Sequence, residues 1–340
     1  MPKRFITIGV QYLAFLSIGI LFAWLSLRNL NEDNWNQLKR SIQEARLWLV
    51  GPVCILLLVS HYLRGLRWKL LIDPLGHKVN PTTSFLTVLL GYLVNLGVPR
   101  LGEFMRCTVL ARYEKVSVEK LVGTVILERL FDGLCLLVVF GLTLGLQPNL
   151  YESILSTFTK SNVDNSPTQK DSWLFYYLLI ILLLLGIGWL IWKKIKIKEL
   201  TQLAKGTIKK IISGIFSIKK LDQPQSFIGL TFLIWILYLL AGYVGFLAFP
   251  LTEKYGIAEA LTILSVGSIG MIISPGGIGA YAYLVLYTMQ LYGLDYSTAL
   301  AFGWTLWLVQ TLVIMLGGVI SFILLPWYNR KTEISRSYPE

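Results

Sequence analysis

Apolar residues in this chain come in long unbroken blocks that a soluble fold cannot bury and a bilayer can. Blocks near 5–27, 48–70, 118–145, 173–192, 226–249 and 296–325 are each long enough for the ~20 residues that a hydrocarbon core requires. Composition agrees. The chain is 55% hydrophobic and only 15% charged, against roughly 25% charged in soluble domains. So few charges cannot clothe a water-facing surface of this size. The expected fold is an all-α integral membrane protein with six full spans. Lys3 and Arg4 ahead of Phe5–Leu27 imitate a signal peptide, but the apolar run is long and lacks a small-x-small cleavage site. It reads as an uncleaved first span.

Between the second and third blocks, segment 82–115 must return to its own side of the membrane. Segment 257–293, between the fifth and sixth, must do the same. Each contains a break. Leu96-Gly97-Val98-Pro99-Arg100-Leu101-Gly102 and Ser274-Pro275-Gly276-Gly277-Ile278-Gly279-Ala280 cannot be continuous helix, because proline removes a donor and glycine permits a reversal. Both segments are therefore expected to be re-entrant hairpins. Broken backbone at membrane depth must lie against protein or a wet cavity. The tips Pro99, Gly102, Pro275, Gly276, Gly277 and Gly279 would expose the N-termini of the second arms, where amides and dipole favour anions. Gly/Pro turns at the surface are the plainer alternative.

With the N-terminus inside, 23 of the 31 Lys and Arg residues fall on the cytoplasmic side. The positive-inside rule therefore sets an N-in, C-in multi-pass topology in a cell inner (cytoplasmic) membrane. This arrangement explains the net charge of +12 without nucleic acid, for which no motif is present. Cys54, Cys107 and Cys135 sit inside apolar segments at no metal-ligand spacing and read as small core residues.

Each half follows the same order: span, amphipathic stretch, span, broken hairpin, span. The chain therefore divides into a half-repeat at 1–147, an external loop at 148–172, a second half-repeat at 173–328 and a cytoplasmic tail at 329–340. The amphipathic stretches carry Trp35, Leu38, Ile42, Ala45 and Leu49 in one half. In the other they carry Ile197 to Ile218, with Lys198, Lys205, Lys209 and Lys210. Such segments suit a membrane interface, or else set topology as basic loops. Pro99 and Gly102 match Pro275 and Gly279 at offsets of 176 and 177 residues. Three spans separate the hairpins, so they enter from opposite faces. This is an inverted-topology repeat, the design of alternating-access transporters.

Charged residues inside the bilayer stand out next. Glu103 and Arg106 lie one turn apart on the second arm of the first hairpin. Glu128, Arg129 and Asp132 fall near the middle of the third block. Each Arg or Asp at a span centre costs ~2.5–3.5 kcal/mol on an insertion scale, so these groups must pair or face water. Arg129 with Asp132, or with Glu103 across the hairpin, would do so. Intramembrane ions are functional candidates by default, and a buried network that only fixes packing is the alternative. Arg64, Arg67 and Lys69 read first as snorkelling anchors at a span end. A second role for Arg64 and Arg67, with Arg100, Arg106 and Arg129, is to bind a lipid headgroup. Glu103, Glu128 and Asp132 would then hold or couple those arginines.

The sequence has no Walker loop and no His-Glu-x-x-His helix, and only His61 and His77 could serve as general bases. No catalytic residue, metal or cofactor is expected, and the chain is not expected to be an enzyme.

The run Arg64-Gly65-Leu66-Arg67-Trp68, then Pro99-Arg100-Leu101-Gly102-Glu103 with Arg106, then Glu128-Arg129-x-x-Asp132, then Pro275-Gly276-Gly277-Ile278-Gly279 resembles the transmembrane region of lysylphosphatidylglycerol synthases, a family also called flippase-like. The resemblance covers almost the whole chain. It implies translocation of lipid, which in bifunctional members is an aminoacylated lipid made by a separate cytoplasmic domain. That domain is not expected here, so lysyl transfer is not inherited. The family's glutamate after the second Pro-Gly-Gly is replaced by Tyr281-Ala282-Tyr283, and an arginine of its last span by Trp304, Trp307 and Gln310. The functional expectation is a lipid translocase or lipid-binding transporter. Its substrate would be an anionic or aminoacylated phospholipid or a polyprenyl phosphate, and membrane lipids its partners. The other class is a non-transporting accessory or scaffold protein, partnered with a synthase or glycosyltransferase of an envelope lipid or glycan pathway.

Overall fold

The computed structural model describes residues 16–147 and 221–337, which are helices joined by turns with no strand among them. The expected fourth span at 173–192, the loop at 148–172, the amphipathic stretch at 197–218 and the start of the first span lie outside these residues. By contacts the chain divides into a unit of Met1–Leu146 with Lys219–Glu340 and a unit of Gln147–Ile218. The described helices belong to the first unit.

In chain order they are α1 (Leu16–Leu27), α2 (Glu32–Glu44), α3 (Val50–Ile72), α4 (Pro81–Gly97), α5 (Leu101–Glu114), α6 (Val118–Leu146), α7 (Pro224–Leu247), α8 (Ile257–Ile273), α9 (Ala280–Leu291) and α10 (Tyr296–Ser337). Three helical stretches, Leu47–Leu75, Pro224–Leu247 and Tyr296–Arg330, are long and apolar enough to cross a membrane. Their outer surfaces stay apolar: Ile228 and Phe232 on α7, and Leu316, Phe322 and Ile323 on α10, are exposed. The α6 helix is also long, with 29 residues, and places Leu137, Val138 and Phe140 outward.

Local chemistry fixes the ends of these helices. Pro81 opens α4 behind Asn80, whose side chain accepts from the Thr82 amide at 2.9 Å. Asp295 caps α10 through the Thr298 amide at 2.8 Å. Glu259 reaches back to the Gly256 amide at 2.8 Å at the start of α8. Such caps satisfy backbone donors that a helix start leaves open. Against the expectation that the last span stops at 325, α10 continues through Pro326 to Ser337. A proline removes one donor and kinks a helix, but apolar surroundings and neighbouring helices let the helix persist.

The first amphipathic stretch forms α2 and the turn after it. The face turned inward centres on Ser41, whose hydroxyl lies 3.0 Å from that of Thr298 on α10. Leu38 and Ala45 pack beside it, whereas Trp35 and Ile42 remain exposed. A buried hydroxyl needs its partner, and this one ties α2 to α10.

Packing repeats across the halves. Helix α3 lies along α7. The α4 arm packs on α10 as α8 packs on α6, and α4 pairs with α5 as α8 pairs with α9. Small residues permit close approach. A Cβ on Gly102 would stand 1.9 Å from the Gly91 carbonyl oxygen, and one on Gly270 would stand 2.6 Å from Tyr281 Cα. The largest core cluster stacks Phe246 on Phe302 (ring centroids 5.2 Å apart), with Phe249 edge-on at 5.7 Å.

Candidate functional site

Three helices of the first half bring their charges to one place. The α3 helix supplies Arg64 and Arg67, α5 supplies Arg106 and Glu103, and α6 supplies Glu128, Arg129 and Asp132. On α6 the positions 128 and 132 are one helical turn apart and share a face. That face meets α3, where 64 and 67 are likewise a turn apart. Arg64 Nη1 lies 2.8 Å from Asp132 Oδ2. Arg67 Nη2 donates to Asp132 Oδ1 at 2.8 Å and to Glu128 Oε1 at 3.2 Å. Arg106 Nη2 donates to Glu128 Oε2 at 2.7 Å. Glu128 and Arg67 have no exposed surface, and Arg106 keeps 2%.

The reading of Arg64 and Arg67 as snorkelling anchors is therefore corrected: both are buried in this network. The two carboxylates on α6 draw them inward, because a charge held in apolar surroundings needs an opposite charge beside it. Of that trio, Lys69 keeps a partial exposure and pairs with Asp73 one turn on.

Arg129 makes both contacts expected of it. Its Nη2 is 3.3 Å from Glu103 Oε1 and its Nη1 is 3.8 Å from Asp132 Oδ2. This pair is the wetter edge of the cluster, with side-chain exposures of 39% for Arg129 and 26% for Glu103. Arg100 does not join it. It stands exposed at the N-cap of α5 with φ 65°, in the left-handed region.

Aromatic and neutral polar groups complete the lining. Arg106 lies over the Trp68 ring at 4.6 Å, Arg67 over Phe227 at 5.7 Å and Arg64 over Tyr238 at 5.5 Å. Among the described residues, the second half contributes no charge here but two acceptors from α7. Tyr238 Oη takes Arg64 Nε at 2.7 Å, and Thr231 Oγ1 takes Arg67 Nη1 at 3.2 Å. Sequence reasoning missed both residues; His61, considered there only as a possible general base, is buried one turn before Arg64 and packed on Tyr92 at 5.1 Å. Phe227, Thr231 and Tyr238 recur at spacings of four and seven on one helix, but that spacing alone does not mark Thr231 and Tyr238 as partners of arginine.

The hairpin tips lie close by. At the first tip, the chain leaves α4 extended at Val98 and enters α5 through Arg100. The Gly102 amide is taken by Asn95 Oδ1 at 2.8 Å, and Asn95 Nδ2 reaches Glu103 Oε2 at 3.3 Å. At this helix start the Gly102 amide is therefore satisfied by a neutral side-chain oxygen, and Asn95 also holds the Glu103 carboxylate of the first turn. At the second tip, Gly276, Gly277 and Gly279 all take positive φ. Trp307 Nε1 donates to the Gly276 carbonyl at 2.9 Å and so holds the turn. Pro275 and Gly277 are buried. Pro275–Gly277 packs on α4, and a Cβ on Gly276 would stand 2.7 Å from Leu96 Cδ2. The two tips touch.

Beside the cluster, α3 and α7 border an open groove of about 410 Å³ lined by Leu66, Lys69, Leu70, Gln223, Ser226 and Leu230. No set of three His, Cys, Asp or Glu side chains among the described residues is arranged to hold a metal ion.

The model of a family described as the lysylphosphatidylglycerol synthase TM region matches residues 11–332. A UPF0104 membrane protein of Methanocaldococcus jannaschii is 25% identical over 232 residues, 67% of this chain and 92% of the relative. No solved structure matches. The family match runs through both tips and the whole charged cluster, and the chain accordingly belongs to the lysylphosphatidylglycerol synthase transmembrane-region family of membrane proteins.

Proposed function

We propose that this chain is a lipid translocase, or lipid-binding transporter, that works without ATP. The observation that carries this reading is the buried cluster of Arg64, Arg67, Arg106 and Arg129 with Glu103, Glu128 and Asp132 beside two touching hairpin tips. A membrane protein tolerates ions at depth when they pair, and it commonly keeps them for a substrate pathway. The headgroup meets the arginines while acyl chains remain in the bilayer, with the groove between α3 and α7 available to one of them. The mirrored packing of α4 on α10 and α8 on α6 supports six spans and two re-entrant hairpins in an inverted repeat. In that scheme both termini face the cytoplasm of an inner membrane, and the two halves rock about the tips.

The test is reconstitution of the purified protein into vesicles with fluorescent anionic phospholipids and polyprenyl phosphates. Lipid movement that Arg129→Ala abolishes, while the protein still inserts and folds, supports the reading. Absence of both movement and lipid binding overturns it.

The near-complete pairing of Glu128 and Asp132 favours a second reading, in which the network fixes packing in an accessory protein of an envelope pathway. Equal loss of folded protein and activity in Arg129→Ala, with strict co-purification of a synthase or glycosyltransferase, would select it.

A further inference from the structure

We infer that the cluster is built for a ligand with a single negative charge, a phosphodiester headgroup. On this view it rejects the net-positive headgroup of an aminoacylated lipid. The inference rests on the lipid-binding reading above and narrows it to one substrate class. Its first support is a charge count. Among the described residues, four guanidiniums, of Arg64, Arg67, Arg106 and Arg129, face three carboxylates, of Glu103, Glu128 and Asp132. Arginine does not lose its proton in proteins, so one positive charge is left over. The nearby Lys69 does not alter this count, because Asp73 pairs with it.

A second support is independent of the count. Arg67 Nε, Arg106 Nε and Nη1 and Arg129 Nε are buried without a hydrogen-bond partner, and so are both ring nitrogens of His61. Buried donors without acceptors cost about 1–3 kcal/mol each, and more when charged. They belong to α3, α5 and α6, the helices that build the cluster. The four guanidinium N–H groups among them lack an acceptor, which is what phosphate oxygens supply to guanidinium groups. A free ammonium, by contrast, brings donors and a second positive charge to a place short of acceptors. Its natural partners, Glu128 and Asp132, already hold arginines at 2.7–2.8 Å.

Arg129 and Glu103 form the wetter edge of the cluster. They are therefore the positions where charge can be changed with least disturbance to the buried core. Arg129→Gln brings the cluster to neutrality, and Glu103→Gln raises its excess to two. The preferred ligand should move in step with that count.

The experiment uses the full chain in phosphatidylcholine nanodiscs. Calorimetry compares short-chain phosphatidylglycerol, its lysyl ester, phosphatidic acid and the soluble headgroup glycerophosphoglycerol. Phosphatidylglycerol should bind the unaltered protein at least about tenfold more tightly than the lysyl ester, since like-charge juxtaposition is strongly penalised. Arg129→Gln should weaken phosphatidylglycerol on the order of tenfold, because the charge excess that attracts the headgroup is then lost. Glu103→Gln should turn the preference toward the more highly charged phosphatidic acid. Equal or tighter binding of the lysyl ester, or a preference that neither variant moves, overturns the inference while leaving lipid transport standing. Equal binding of glycerophosphoglycerol overturns the assignment to lipid in favour of a soluble phosphodiester. Absence of binding by every lipid overturns both this inference and the transport reading.

Discussion

Leu96, one residue short of the end of α4, lies against Gly276 in the opposite half of the chain; a Cβ on that glycine would stand 2.7 Å from Leu96 Cδ2. Two breaks 180 residues apart in sequence thus share one contact. Gly276 also holds φ at +57°, a conformation that costs a residue with a Cβ about 1–2 kcal/mol. Strain and crowding act together here.

Gly276→Val should lower the melting temperature of the detergent-solubilised protein. Its total cost should be on the order of 2–3 kcal/mol, combining left-handed strain with overpacking. Leu96→Ala in the same chain should restore only the crowding part. A double-mutant cycle that showed no coupling between the two positions would contradict the contact.

Glu128 accepts from Arg106 and Arg67 and lies 3.6 Å from Arg64. Glu128→Gln keeps its shape but removes the charge that three buried guanidiniums share. Breaking a buried pair in this way costs roughly 3–5 kcal/mol. Folded yield and thermal stability should therefore fall sharply. Adding Arg106→Met should recover part of the loss, because one stranded cation leaves with it.

Tyr238 and Thr231 tie α7 to the arginines of α3. Tyr238→Phe and Thr231→Val each leave a buried guanidinium N–H without its acceptor, for a cost of about 1–3 kcal/mol apiece. Both variants should still insert as membrane proteins. Denaturation curves would show the change, and curves coincident with the parent would mean that the α3–α7 bonds carry no stability.

The two breaks were legible because proline and glycine act locally. Pro99 cannot donate, and Gly276, Gly277 and Gly279 adopt backbone angles that other residues resist. Pairing of Arg129 with Asp132 or Glu103 was also legible, since the first spacing is one helical turn and the second joins neighbouring helices. The fate of Arg64 and Arg67 was not. At the end of an apolar block, an arginine that snorkels and one that turns inward have the same sequence signature. Only the carboxylates of α6 across the gap make the inward rotamer favourable. Thr231 and Tyr238 were hidden for a similar reason, because they sit in an otherwise apolar helix and become partners only when α7 lies along α3.

By itself the sequence determined that this chain is helical and belongs in a membrane, where its helices break, and which charges must find partners. Those properties follow from apolar run length, backbone chemistry and the cost of desolvating an ion, all of which are local. The tertiary structure decided which partners are found. It turned Ser41 of α2 toward Thr298, gathered four arginines around three carboxylates, and set Leu96 against Gly276. These pairings depend on how helices far apart in sequence pack against one another, and no local spacing encodes that choice.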